Sequence, residues 1–159
     1  MERRVSVRGV VVDNNGYIFA VKHRDDNPTG ESDFWAIPGG GLGASESVDE
    51  GLVREIEEEL GITPKIGRLL FVQQFTVTHR NGDRSEKMEL FVHVENTADF
   101  QHGIDLSATS HGHELARVAF IDPTTSDLLP TFLQKVNIRN HIDKNQPVLF
   151  FNNLHKPSR

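Results

Sequence analysis

The chain has 159 residues, 36% of them hydrophobic and 25% charged, with a formal net charge of −6 at pH 7 and no cysteine. That length suits one domain with a sizeable core, and the missing cysteine excludes a disulfide framework, a thiolate zinc site and a cysteine nucleophile. The acidic balance argues against stable DNA or RNA binding, whose phosphates reward Lys and Arg. No apolar run approaches the roughly 20 residues of a membrane span, and the opening MERRVSVRG has no leader-like apolar stretch, so a cytoplasmic location away from membranes is expected.

In chain order, the valine-rich stretch Val5 to Asp13 predicts a strand, Asn14-Asn15-Gly16 a hairpin tip, and Tyr17 to Lys22 the returning strand. Arg8 on the first strand either faces solvent or turns toward a phosphate or base. Residues 23–33, HRDDNPTGESD, form a polar loop. Such loops often carry binding residues, which makes Arg24 a solvated charge or a substrate contact. Phe34 to Pro38 reads as a short apolar strand, with Trp35, the only tryptophan, in the core or stacked on a ligand. It leads into Gly39-Gly40-Gly41, a turn where backbone approaches something closely.

The next segment is a helix from Val48 to Leu60. Ser47 and Glu50 form a capping box, Asp49 and Glu50 suit the positive end of the dipole, and Gly61 stops the helix. Val48, Leu52, Ile56 and Leu60, with Val53 beside them, make the buried stripe. Glu55, Glu58 and Glu59 share one face next to it. Like charges at that spacing destabilise by roughly 0.2–0.5 kcal/mol a pair. The three carboxylates are therefore a solvated acidic face, or they hold a hard divalent cation such as Mg2+.

Gly40, Glu46, Arg54, Glu55, Ile56, Glu58, Glu59, Gly61 and Ile62 fill every fixed position of the box that marks the Nudix hydrolases, and on these residues the chain resembles that family. Gly43 stands where the family often has an acid, and Ser45 where glycine is frequent. The resemblance implies an α+β fold of the Nudix type, an α/β/α sandwich with a mixed sheet between the box helix and the C-terminal helices. The resemblance covers essentially the whole of the single domain that the length suits, residues 1–153, and residues 154–159 read as a loose tail. It further implies Mg2+, or Mn2+ in its place, held by Glu55, Glu58, Glu59 and the Gly39 carbonyl. Glu46 and Arg54 become an orienting pair, and Arg8 a contact that helps hold the substrate. The expected reaction is hydrolysis of a phosphoanhydride in a nucleoside diphosphate linked to another group, by attack of a metal-activated water on phosphorus. The alternative is a regulatory module that binds a nucleotide or metabolite without hydrolysis; such members often lose box carboxylates, and this chain loses none. An isomerase relative is disfavoured by the short chain and missing cysteine.

Beyond the box, Ile66 to Thr78 reads as a long strand, Asn81-Gly82 as a second hairpin tip and Lys87 to Glu95 as its partner strand. Arg80, Arg84 and Lys87 give that tip a basic, exposed character. Asn96 to His113 is a polar loop whose histidines 102, 111 and 113 match no standard metal spacing. Ala116 to Ile121 is a strand, and many Nudix hydrolases place an acid just before the equivalent one. Glu114 is thereby a further metal ligand or the general base, a role the box glutamates also compete for. Asp122-Pro123 starts a helical turn through Leu129, Pro130 opens a second helix to about Asn140, and Pro147 to Phe151 forms a last strand. The sequence names no particular nucleotide and no oligomeric state, a dimer being compatible with it.

Overall fold

Alternation along the central strands is resolved into two sheets in the computed structural model, which describes residues 2–156. Strands β1 (Arg3–Val10), β3 (Gly39–Gly41), β4 (Ile66–Thr78), β5 (Arg84–Val94) and β7 (Leu149–Asn153) form a sheet in the order β3-β1-β5-β4-β7. It is mixed: β1 runs parallel to β5 and antiparallel to β3, while β4 is antiparallel to β5 and parallel to β7. Strands β2 (Ile18–His23) and β6 (Leu115–Ile121) pair antiparallel in a second, two-stranded sheet.

Each face of the large sheet buries its own core. Helix α1 (Val48–Leu60) sets Leu52, Ile56 and Leu60 against Val7, Val92 and Val94 on one side. Fully burying one such aliphatic side chain stabilises by about 1.5–3 kcal/mol. On the other side Phe71 and Phe91 pack with Phe132, Leu133 and Ile138 from the C-terminal turns. Register shifts between Ile66 and Phe71 let the adjacent residues Leu70 and Phe71 enter the same core, as a bulge allows. The result is the expected α+β sandwich. Among the described residues no helix is long and apolar enough to cross a membrane.

The helix boundaries agree with the sequence reading. Ser47 Oγ accepts from the Glu50 N–H at 3.1 Å, and Gly61 sits at φ 70° with its N–H on the Glu57 carbonyl. The long strand β4 and its hairpin with β5 also agree. Elsewhere the fold corrects the sequence. The turn at Asn14-Asn15-Gly16 forms, with Asp13 Oδ1 accepting from the N–H groups of Asn15 and Tyr17, but β1 and β2 part company beyond it. Both edges of β1 are taken by β3 and β5, so β2 must pair with β6. Phe34 to Ile37 makes only isolated bridges, Ala36 to Val21 and Trp35 to Leu128, whereas the glycine run expected to turn is itself strand β3.

Residues 122–129 do not become helical. Asp122 Oδ1 takes both the N–H and the hydroxyl of Thr124, a local turn that competes with helix, and Pro130 disfavours helical geometry at Leu129. The expected helix after Pro130 divides into a 3-10 turn (Thr131–Gln134) and α3 (Ile138–Asp143), the latter capped by Asn137. The long polar loop holds a short helix, α2 (Thr97–Phe100), whose Phe100 is buried in the core beneath α1. Of the expected loose tail, Leu154 accepts from Thr76 Oγ1 at 2.9 Å, and 157–159 lie outside the described residues.

Candidate active site

Helix α1 and the loop before it pack closely around glycines, where an added Cβ would meet a neighbour. A Cβ on Gly39, at φ 144°, would fall 2.0 Å from the Val7 carbonyl oxygen, and one on Gly40 would meet the Glu55 carboxylate at 2.5–2.6 Å. One on Gly51 would meet Leu42 at 2.2 Å. The close approach expected of the glycine run is therefore to strand β1 and to Glu55. Ser45 has φ 63°, a left-handed conformation that favours the glycine its position often carries.

Arg54 ties this loop to the helix. Its guanidinium donates to both Glu46 oxygens, at 2.7 and 2.9 Å, and to the Gly41 carbonyl at 3.1 Å. It also reaches Glu55 at 3.0 Å and Glu58 at 3.3 Å. The Arg54 pair, together with the Gly43 N–H, holds the Glu46 carboxyl down at about 2, and Glu46 in return raises Arg54. The two residues expected to orient the loop thus grip each other bidentately.

Glu59 is in the opposite electrostatic situation. It is 6% exposed, its Oε2 has no hydrogen-bond partner, and burial followed by the charge of Glu55 pushes its carboxyl up to about 8. An orphaned, buried carboxylate oxygen beside other oxygen donors is the donor chemistry a hard divalent cation takes. Among the described residues no three His, Asp or Glu side chains already converge on one point. Glu55 and Glu58 are instead drawn toward Arg54, which offsets their charge.

Glu55 and Glu59 border a cavity of about 870 Å³. Gly39, Glu55, Glu59 and Glu114 line it, and so does Arg8, whose Nε donates to Glu89 at 2.9 Å. Arg8 is accordingly a largely covered cavity residue and not a solvent-facing strand arginine. Arg24 is not among the lining residues; its Nε donates to the His113 carbonyl at 2.7 Å and its N–H to the Glu114 carbonyl, so it braces the loop that presents Glu114. Glu58 lies on the outer flank of the helix, 3.0 Å from His111 Nδ1.

Several cavity residues were not legible beforehand. His23, Gln73, Glu89 and Phe151 come from four strands, and sheet register aligns three of them: Gln73 pairs with Glu89 on one side and Phe151 on the other, while His23 comes from the second sheet. Burial and Arg8 lower the His23 pKa. The polar loop contributes a clasp on the end of α1, where Thr109 Oγ1 donates to the Glu59 carbonyl and the His111 N–H to that of Glu58. A hydrophilic loop gave no signal for this. Trp35 packs partly buried against the core with Lys22 and Arg117 over its ring.

The fold and this loop–helix–loop site define the class. The family model described as NUDIX domain matches residues 2–138, and the chain belongs to that family. Over 60 residues it is 42% identical to the diphosphoinositol polyphosphate phosphohydrolase 3-alpha of Mus musculus, a match covering 38% of this chain and 34% of that protein. Over 68 residues it is 41% identical to the ADP-ribose pyrophosphatase of Methanocaldococcus jannaschii, covering 43% and 38%. The matched stretch thus spans about a third of the length of these curated relatives. The solution structure of the E. coli ORF135 protein superposes with a TM-score of 0.67 at 21% identity, covering 92% of this chain and 96% of that one, and confirms the fold.

Proposed function

We propose that the chain hydrolyses a phosphoanhydride bond in a nucleoside diphosphate linked to another group, with Mg2+ as cofactor and Mn2+ able to replace it. The observation that carries this reading is Glu59, a carboxylate buried without a partner for Oε2 at the edge of a large cavity. Glu55, Glu58, Glu59 and the Gly39 carbonyl would hold the cation. When bound, it neutralises phosphate charge and lowers the pKa of water. The names of the relatives, a phosphohydrolase and a pyrophosphatase, point the same way.

The remaining roles belong to the protein's own side chains. Arg54, fixed by Glu46, sets the positions of Glu55 and Glu58. Glu114 faces the cavity and makes no side-chain hydrogen bond among the described residues, so it is free to take the proton of the attacking water. Glu58 is already engaged by Arg54 and His111, which favours Glu114 as the base. Such proton transfer contributes about 10²–10⁴-fold.

The test is product release from a panel of nucleoside diphosphate derivatives with Mg2+ or Mn2+, run beside Glu58→Gln, Glu114→Gln and a chelator. Cleavage is expected to stop with chelator and with Glu58→Gln, and to fall by about 10²–10⁴-fold with Glu114→Gln. Turnover that survives both chelator and Glu58→Gln would refute the metal-dependent reading. Metal binding without turnover would favour the regulatory module instead.

A further inference from the structure

Charge in the cavity is divided between its two ends. Arg8 and Glu89 pair at 2.9 Å and neutralise each other. The remaining carboxylates, Glu55, Glu59 and Glu114, sit with Gly39, whereas Lys87, Lys135 and Lys156 line the cavity elsewhere. The lysines come from β5, from the segment after the 3-10 turn, and from the chain beyond β7. None of the three makes an ion pair or side-chain hydrogen bond among the described residues. Three uncompensated ammonium groups around one space repel one another, and in a chain of net charge −6 they are a local exception.

Sheet order separates the two ends. Gly39 is on β3, one edge of the sheet, and Lys156 follows β7, the other edge, with Lys87 on the middle strand. At about 4.8 Å per strand the backbone of β5 lies roughly 10 Å, and that of β7 roughly 19 Å, from the glycine edge. A lysine beyond β7 is out of reach of a diphosphate held at the glycine edge, and Lys87 on β5 stands between the two. Phe75, paired directly across from Lys87, and the stacked rings of Phe132 and Phe151 line the same cavity and supply apolar surface for an organic portion.

We propose that Lys87, Lys135 and Lys156 form a second anion subsite, which takes a phosphate monoester carried by the substrate away from its scissile phosphoanhydride. The preferred substrate is then a nucleoside diphosphate derivative with an additional phosphate. Lysine suits this role as a compact point charge with three donors. The proposal rests on the hydrolase reading for its link to substrate, but the subsite is measurable by binding alone.

The experiment is calorimetric binding of AMP and of adenosine 3′,5′-bisphosphate to the metal-free protein. The bisphosphate is expected to bind about tenfold tighter, the size of one charge-assisted hydrogen bond, and added salt should narrow the gap. Lys87→Ala with Lys135→Ala should bring the two ligands level, and Lys156→Ala should weaken the preference. Equal affinities in the wild type, or a preference that survives the double variant, would overturn the subsite. Hydrolysis is read separately with Mg2+, comparing coenzyme A with 3′-dephospho-coenzyme A; the phosphorylated member should have the lower KM, with kcat little changed. A KM that ignores the extra phosphate also overturns the proposal. Failure to cleave either, with the bisphosphate preference intact, counts against the hydrolase reading and leaves the subsite standing.

Discussion

Ser45 holds a left-handed backbone, φ 63°, at the tip of the loop that carries Glu46. The side chain there costs about 1–2 kcal/mol, partly returned because glycine loses more entropy on folding, about 0.5–1 kcal/mol. Ser45→Gly is therefore expected to stabilise by about 0.5–1 kcal/mol, checked by urea unfolding. Gly40 poses the opposite constraint. A methyl group there would strike the Glu55 carboxylate, the movable end of a flexible side chain. Gly40→Ala should leave stability within about 0.5 kcal/mol; on the proposed function, in which Glu55 holds the metal, it should lower activity by about 10–100-fold by displacing that carboxylate. Paired measurements of melting and turnover separate the two effects; a variant that unfolds outright contradicts the assignment. Both residues stood in the sequence as loop positions, but their conformations follow only from what the loop must pass.

At the level of elements, the α1 boundaries could be read from Ser47, Glu50 and Gly61 because capping is local. The C-terminal helices could not, because Asp122 and Pro130 support several local structures and packing chose among them. Helix α3 carries His141, which is 1% exposed, with its ring 4.9 Å from that of Phe71. Burial, then the charge of Arg68, lowers its pKa below 6.5. The folded state thus prefers the neutral ring. The stability this allows is fully present above pH 6.5 and is lost as pH falls through the lowered folded value. His141→Phe should remove that acid-side loss, seen as a flatter dependence of urea midpoint on pH below 6.5. An unchanged slope would place the acid sensitivity elsewhere.

For the whole molecule, Glu59 couples the site to folding. Its carboxyl is raised from 4.5 to about 8, so the protonated form is favoured in the folded, metal-free protein. That stability is complete below pH 4.5 and declines as pH rises through about 8. Glu59→Gln should abolish the alkaline decline. Mg2+ at 100 times its Kd should stabilise the wild type by about 2.7 kcal/mol, with proton release near pH 7 measured by calorimetry in buffers of different ionisation enthalpy. The variant should show neither the gain nor the proton. A gain retained in Glu59→Gln would remove Glu59 from the metal set.

By itself the sequence determined the box helix, its cap and stop, the three-glutamate face, the long β4–β5 hairpin and the family. All of these rest on short-range spacing, which the backbone translates directly into a face or a turn. Tertiary structure alone decided that β1 and β2 enter different sheets, that the glycine run is an edge strand, that Arg8 is covered by Glu89 and that Arg24 braces a loop. It also decided that Gln73, Glu89 and Lys87 share a cavity with Glu59. Those outcomes depend on strand register and on which edges are already occupied, and such contacts link residues tens of positions apart that no local pattern in the chain connects.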